Sequence, residues 1–174
     1  MLSRSLLILL LSTSLALAGA LPVWQKLEGC QLVKNKWNDG DSFHVKTPDG
    51  EEFIYRLYFV DTPETDSRFP ARVADQAADM GITPDQALKL GKKATEFTTK
   101  TLGSGPFTIW TCGQKALGSS KLQRWYGMIE TKDGWLDQLL VKNGLARIHG
   151  KRITVPDGRT SREYLDDLGR LEKN

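Results

Sequence analysis

The stretch Tyr55-Arg56-Leu57-Tyr58-Phe59-Val60-Asp61-Thr62-Pro63-Glu64 constrains this chain more than any other. Tyr55, Leu57, Tyr58, Phe59 and Val60 are aromatic, aliphatic or β-branched, the composition of a buried strand. A charged residue, Arg56, sits inside that run. Pro63 ends it, because proline cannot donate to a ladder and biases Thr62 away from helix. The strand therefore carries one guanidinium in its body and two carboxylates, Asp61 and Glu64, across a turn at its end. Buried charges are costly unless they are paired or put to use. A structural Arg–Asp pair and a functional site both meet that condition. Arg56 and Asp61 are an odd number of residues apart, so an unbroken strand would point them to opposite faces. They share a site only if the strand bends, bulges or ends near Val60.

With 174 residues, 40% of them hydrophobic and 26% charged, the chain is long and apolar enough for one domain with a real core. A net charge of +3 is too mild to indicate nucleic acid. The N-terminus reads as a secretory signal over 1–20. Arg4 gives the positive end, Leu6 to Leu17 the apolar run, and Ala18 or Ala20 the cleavage site. The domain is then 21–174, secreted or periplasmic, with no membrane segment after cleavage. Export permits a disulfide between Cys30 and Cys112. Two cysteines without a nearby histidine are too few for structural zinc.

Gln31 to Lys34 and Ser42 to Thr47 read as strands, separated by the turn Asn38-Asp39-Gly40-Asp41; Glu51 to Val60 is the third. If the sheet curls, Asp41 and Asp61 meet at one end. His44 alternates with Phe43 and Val45 and reads as a solvated strand residue. A helix is expected from Pro70 to Gly81, and a second opens on the capping box Thr83…Gln86 and closes at Gly103. Phe107 to Cys112 and Leu122 to Thr131 are further strands, joined by a polar, mobile loop over Gly113 to Lys121. Short helices follow over Trp135 to Asn143 and after the capping box Thr160…Glu163. Five strands with helical sequence between the third and fourth suit an α+β, mainly β fold: a five-stranded Greek-key barrel of the oligonucleotide-binding type with three to four packed helices.

Asp39-Gly40-Asp41-Ser42, then Arg56 with Asp61-Thr62-Pro63-Glu64, then Arg124 before a glycine-containing strand, then Asn143-Gly144-Leu145-Ala146 resemble the staphylococcal nuclease (thermonuclease) family. The resemblance runs from about Gln31 to Ile148. It implies calcium held by Asp41, Asp61 and the backbone carbonyl of Thr62, Glu64 as the base for the attacking water, and Arg56 and Arg124 on the scissile phosphate. A gapless alignment would put Trp125 in place of Arg124, but only a cation makes sense beside a phosphate. The implied protein is a monomer that cleaves single- or double-stranded DNA and RNA with low sequence specificity and leaves 3′-phosphate ends. In a barrel of this type the first and fourth strands are antiparallel neighbours, which sets Cys30 and Cys112 side by side as an expected disulfide. The sequence departs from the family after Ala146: Arg147-Ile148-His149-Gly150-Lys151 has none of the tyrosines that pack near nucleotide. Trp125 or Tyr126 either replaces them by stacking or packs in the core. The long segment Asp66 to Ile82 is expected to shape the groove rim.

The chemistry is coherent without the family. A hard cation on oxygen ligands neutralises a phosphodiester, two guanidiniums chelate its oxygens, and a carboxylate takes the proton of water. A non-catalytic binding module for nucleic acid or another polymer is the alternative, but it has no need of metal carboxylates and a base together. A carbohydrate hydrolase using Asp61 and Glu64 leaves both arginines unexplained.

Overall fold

The computed structural model describes residues 23–117, 121–150 and 152–173. The expected signal over 1–20 lies outside them. In chain order the elements are strands β1 (Gln25–Leu32), β2 (Ser42–Lys46), β3 (Glu52–Leu57) and β4 (Val60–Asp61), helices α1 (Pro70–Asp79) and α2 (Pro84–Gly103), strands β5 (Phe107–Thr111), β6 (Arg124–Thr131) and β7 (Gly134–Trp135), helix α3 (Leu136–Lys142), strand β8 (Arg147–Ile148) and helix α4 (Ser161–Glu172).

The strands run in the order β3-β2-β1-β5-β6-β7, and β3 also pairs with β6 in parallel, closing a mixed five-stranded barrel. This is the α+β, mainly β barrel of oligonucleotide-binding type expected from the sequence, with four helices. β1 serves two neighbours. Its first part pairs with β5 and its end with β2, and the register shifts between Leu27 and Cys30. Gly29 takes a φ of 79° at that bulge, a left-handed conformation that side chains other than glycine resist.

The hydrophobic core holds Phe43, Val45, Leu57, Phe59, Ile109, Met128 and Ile129, together with Leu136 and Leu140 of α3. Aromatic rings continue this core: Tyr58 stacks on Tyr126 at 5.0 Å, and Phe59 meets Tyr164 of α4 at 4.8 Å. Tyr126 is therefore packed against the core, and Trp125 is half-buried against it. Both expected capping boxes form, at Thr83–Gln86 and Thr160–Glu163. Lys89, Lys92, Lys93 and Lys100 lie on the solvent face of α2. No helix among the described residues is long and apolar enough to cross a membrane.

Three expectations need correction. β1 begins at Gln25, well before Cys30. Cys30 therefore stands opposite Phe107, whereas Cys112 lies one residue beyond Thr111, the partner of Gln25. The two cysteines thus lie toward opposite ends of the β1–β5 pair, roughly 17 Å apart along the strands at a strand's rise per residue. That is far beyond disulfide reach, and both cysteines are free. His44 is buried rather than solvated: its backbone N–H donates to Asn38 Oδ1 at 2.9 Å and its Nδ1 lies 2.7 Å from the same atom. The first part of the loop after β5 adheres to β6. The Ala116 N–H donates to the Arg124 carbonyl, and the Tyr126 N–H to the Gln114 carbonyl. Residues 118–120 of that loop lie outside the described ones.

Candidate active site

The turn ahead of β2 is built by Asp39, whose Oδ1 accepts the N–H groups of Asp41 (3.1 Å) and Ser42 (2.7 Å). This places Asp41 at the mouth of the barrel. On the next strand Arg56 stands opposite Ser42. On the strand after that, Arg124 pairs with Ile54, two residues before Arg56. Side chains two apart share a face, so Ser42, Arg56 and Arg124 all project to the same side. The parity conflict between Arg56 and Asp61 is resolved by a break. β3 ends at Leu57, Tyr58 and Phe59 bend the chain, and β4 restarts at Val60 against β8. Asp61 then returns to Arg56, with Oδ1 to Nη2 at 2.5 Å, while Arg56 Nη1 reaches Asp41 Oδ1 at 3.2 Å.

The Asp61–Glu64 turn is held from three sides. The Thr62 N–H donates to Asp41 Oδ2 at 2.9 Å. Two glycines let neighbouring backbone come close. A Cβ on Gly91 of α2 would lie 2.3 Å from the Glu64 carbonyl oxygen, and one on Gly40 would lie 2.7 Å from Thr62 Cγ2. The third support is Gln76 of α1, which has no exposed surface. Its Nε2 donates to Asp61 Oδ2 (2.8 Å) and to the Thr62 carbonyl (3.0 Å), and its Oε1 accepts the Glu64 N–H (2.9 Å).

One cleft of about 270 Å³ brings together Asp39, Asp41, Arg56, Thr62, Glu64, Arg72 and Arg124. Asp61 lines an adjoining cleft of about 440 Å³ that shares Arg56, Arg72 and Arg124 and adds Tyr126 and Arg147. Arg124, not Trp125, is the β6 residue that faces both.

Asp39, Arg72, Gln76 and Arg147 were not among the residues expected at the site. Arg72 joins Asp61 (Nη2–Oδ1, 2.8 Å) to Glu64 (Nε–Oε1, 2.5 Å). Arg147, opposite Asp61 in the β4–β8 pair, donates through Nε to Asp61 Oδ2 at 3.0 Å and continues to Asp75 and Asp79 of α1. A signal for the helix residues was available. Arg72, Gln76 and Asp79 recur at helical spacing beside the apolar Val73 and Ala77. The expectation that Asp66 to Ile82 shapes the rim holds, since α1 forms that wall.

The charges are unevenly compensated. Burial alone would raise the Asp61 carboxyl, but the Gln76 hydrogen bond and the charges of Arg72, Arg56 and Arg147 outweigh it and hold the pKa below its ordinary value. Burial opposes the charge of Arg56, yet Asp41, Asp61 and Asp39 together raise its pKa. At Asp39 burial, then the charge of Asp41, outweighs Arg56 and the two backbone N–H bonds and pushes the carboxyl well above the usual range. Arg124 is the opposite case, lowered by burial and then by neighbouring Arg56. Its Nη2 donates to Ser42 Oγ (2.7 Å) and its Nη1 to the Leu117 carbonyl (3.1 Å), but its buried Nε has no partner.

The site thus has an acidic end at Asp39–Asp41 and a basic end at Arg56–Arg124, with Arg56 already paired to Asp41 and Asp61. Hard oxygen donors at the first suit a divalent cation such as calcium. Both oxygens of Asp61 already accept from arginines and Gln76, and those of Asp41 face Arg56 and the Thr62 N–H. No cluster of three or more histidine, cysteine, aspartate or glutamate side chains stands ready to hold a metal ion among the described residues. The chain matches no protein-family model and no curated protein sequence.

Proposed function

We propose that this protein is an exported, calcium-dependent nuclease of the thermonuclease type, which hydrolyses DNA and RNA phosphodiesters with little sequence preference as a monomer. The observation that carries the reading is the pair Arg56 and Arg124. Two half-buried guanidiniums face one cleft, the second with an N–H that has no partner among the described residues and a pKa lowered by burial and then by the first. Arg56 is already compensated by Asp41 and Asp61, but Arg124 is held only by neutral oxygens, and a buried guanidinium so placed costs stability unless an anion joins it. A phosphodiester beside Glu64 and Asp41 is the anion that also gives the carboxylates a purpose.

In this reading Asp41, Asp61 and the Thr62 carbonyl would hold calcium, with Asp39 beside them, once Asp61 and Thr62 give up their present partners. The bound ion supplies charge neutralisation of the phosphate. Arg56 and Arg124 grip the nonbridging oxygens, a contact that tightens as the five-coordinate state forms. Glu64 takes a proton from the attacking water as its oxygen bonds to phosphorus. The P–O5′ bond breaks, O5′ takes up a proton, and phosphate remains on the 3′ side. Arg72 has to release Glu64 before that carboxylate can act as a base.

A second reading, a non-catalytic binding module on the same barrel, is favoured by that one contact, since Arg72 occupies both Glu64 and Asp61. Digestion of single-stranded DNA with calcium and then with chelator separates the two. Glu64→Gln should retain nucleotide binding while turnover falls by about 10²–10⁴-fold. The Asp41→Ala defect should be partly rescued by raised calcium. Arg56→Lys should lower turnover more than affinity, because lysine lacks the two-pronged grip. A Glu64→Gln variant that cleaves like the parent would remove the base from the mechanism.

A further inference from the structure

Among the described residues the large hydrophobic side chains left exposed are Val23, Trp37, Phe69 and Leu117. Two of them, Trp37 at 58% exposure and Phe69 at 59%, line the cleft that holds Arg56 and Arg124. Single exposed apolar residues are ordinary, but two aromatic rings on one cationic cleft are not.

Both rings stand on pinned backbone. Trp37 lies in the turn after β1, where its N–H donates to Asn35 Oδ1 at 3.0 Å. The next residue, Asn38, donates to the Val33 carbonyl at 2.9 Å and accepts the His44 N–H of β2. Phe69 immediately precedes Pro70, and its carbonyl accepts the Val73 N–H at 3.0 Å in the first turn of α1. Over the indole lie two cations, Lys36 Nζ at 5.0 Å and the Arg68 guanidinium at 5.2 Å, the latter also paired with Asp66 at 2.8 Å.

We infer that Trp37 and Phe69 form a stacking platform for an unpaired nucleobase of the strand whose phosphate sits on Arg56 and Arg124; this rests on the phosphodiester reading above. Aromatic faces beside a cationic track are the combination that binds single strands without sequence preference, because every base offers a π-face. A duplex keeps its bases stacked and paired and has to open before it can offer one. The platform therefore selects single-stranded substrate. The tyrosines of the adjoining cleft do not compete for this role, since Tyr58 and Tyr126 are buried and stacked on each other. The segment from Arg147 to Gly150 carries no aromatic side chain except the His149 ring.

The test is binding of a short, labelled, phosphorothioate-linked oligothymidine, followed by fluorescence anisotropy. The comparison ligands are the same backbone with abasic sites and a duplex of equal length. The parent should prefer the single strand to both. Trp37→Ala and Phe69→Ala should each weaken oligothymidine binding by about 5- to 100-fold, the range of one lost base stack. Trp37→Phe should keep most of the affinity, and binding of the abasic strand should not change. Both residues are exposed, and a thermal melt of each variant confirms that folding is intact. Alanine variants that bind oligothymidine like the parent, or that lose abasic binding equally, overturn the platform. Calcium-dependent cleavage of unmodified DNA is read in parallel. Cleavage by the parent with unchanged binding by the alanine variants sinks the platform alone. Base-dependent loss of binding without cleavage by any form sinks the catalytic reading and leaves the platform standing.

Discussion

Gln76 is the residue on which the candidate site depends most and whose chemistry is least visible. A fully buried amide donates to Asp61 and Thr62 and accepts from Glu64, so it fixes the spacing of the two carboxylates. Gln76→Leu removes the amide and leaves the Glu64 N–H and an Asp61 lone pair buried without it. Stability should fall by about 2–4 kcal/mol, the usual cost of orphaned buried polar groups added to a poorer fit. If the proposed nuclease activity holds, turnover should fall further than the folded fraction explains, because Glu64 loses its anchor. Urea titration beside single-turnover cleavage checks this. Equal activity per folded molecule would show that Gln76 supports only the fold.

Among the elements, α2 and β5 carry the clearest consequences. α2 can approach the Asp61–Glu64 turn only because residue 91 is glycine. In Gly91→Ala the new methyl meets backbone oxygens that cannot rotate away, so helix and turn must separate, at about 1–3 kcal/mol. Gly103→Ala at the end of the same helix meets nothing within 4 Å and should be neutral or mildly stabilising. Thermal melts of the pair, with cleavage assays for the proposed nuclease activity, test the packing argument, and a Gly91→Ala protein that matches Gly103→Ala in both would contradict it. For β5, the separation of Cys30 and Cys112 predicts two thiols on unfolding without reductant. In the folded protein Cys30 should stay protected, since it is fully buried and burial pushes its thiol up to about 11. Cys112, half-buried and 3.1 Å from the Tyr58 hydroxyl, should react first. Fewer than two titratable thiols would restore the disulfide.

For the molecule as a whole, the closed barrel is clamped to its C-terminal helix by a buried acid. Asp137 in the first turn of α3 accepts the Tyr164 hydroxyl of α4 at 2.8 Å and the Gln138 N–H at 3.0 Å. Burial outweighs both bonds and raises its pKa from 3.8 to about 6. Between about pH 4 and 6 the folded protein keeps a proton that the unfolded chain has released. Stability therefore falls as pH rises through that window, by about 3 kcal/mol in total, and this contribution is level above it. Asp137→Asn keeps an acceptor for Tyr164 and removes the titration. Relative to the parent, the variant should gain stability between pH 4 and pH 7. Urea midpoints at the two pH values measure the gain, and a constant difference would place the ionisation of Asp137 at its ordinary value.

Much of this architecture was legible in the linear chain, because local rules governed it. Strand alternation, Pro63, the two capping boxes and the Gly103 stop set most elements to within a few residues, and the element order pointed to the barrel. The acidic and basic candidates were also legible, since Arg56 and Asp61 stand out in an apolar run. The contacts that decide the site's electrostatics were not, because they join side chains distant in sequence. That Tyr58 and Phe59 break the strand and return Asp61 to Arg56 follows from pairing with Arg147 and Ile148, far along the chain. That Arg72 and Gln76 reach the carboxylates follows from how α1 docks, which helical periodicity does not specify. The cysteines were misplaced for the same reason. A strand's start and register are set by the neighbour it pairs with, and composition around Cys30 carried no record of its partner Phe107.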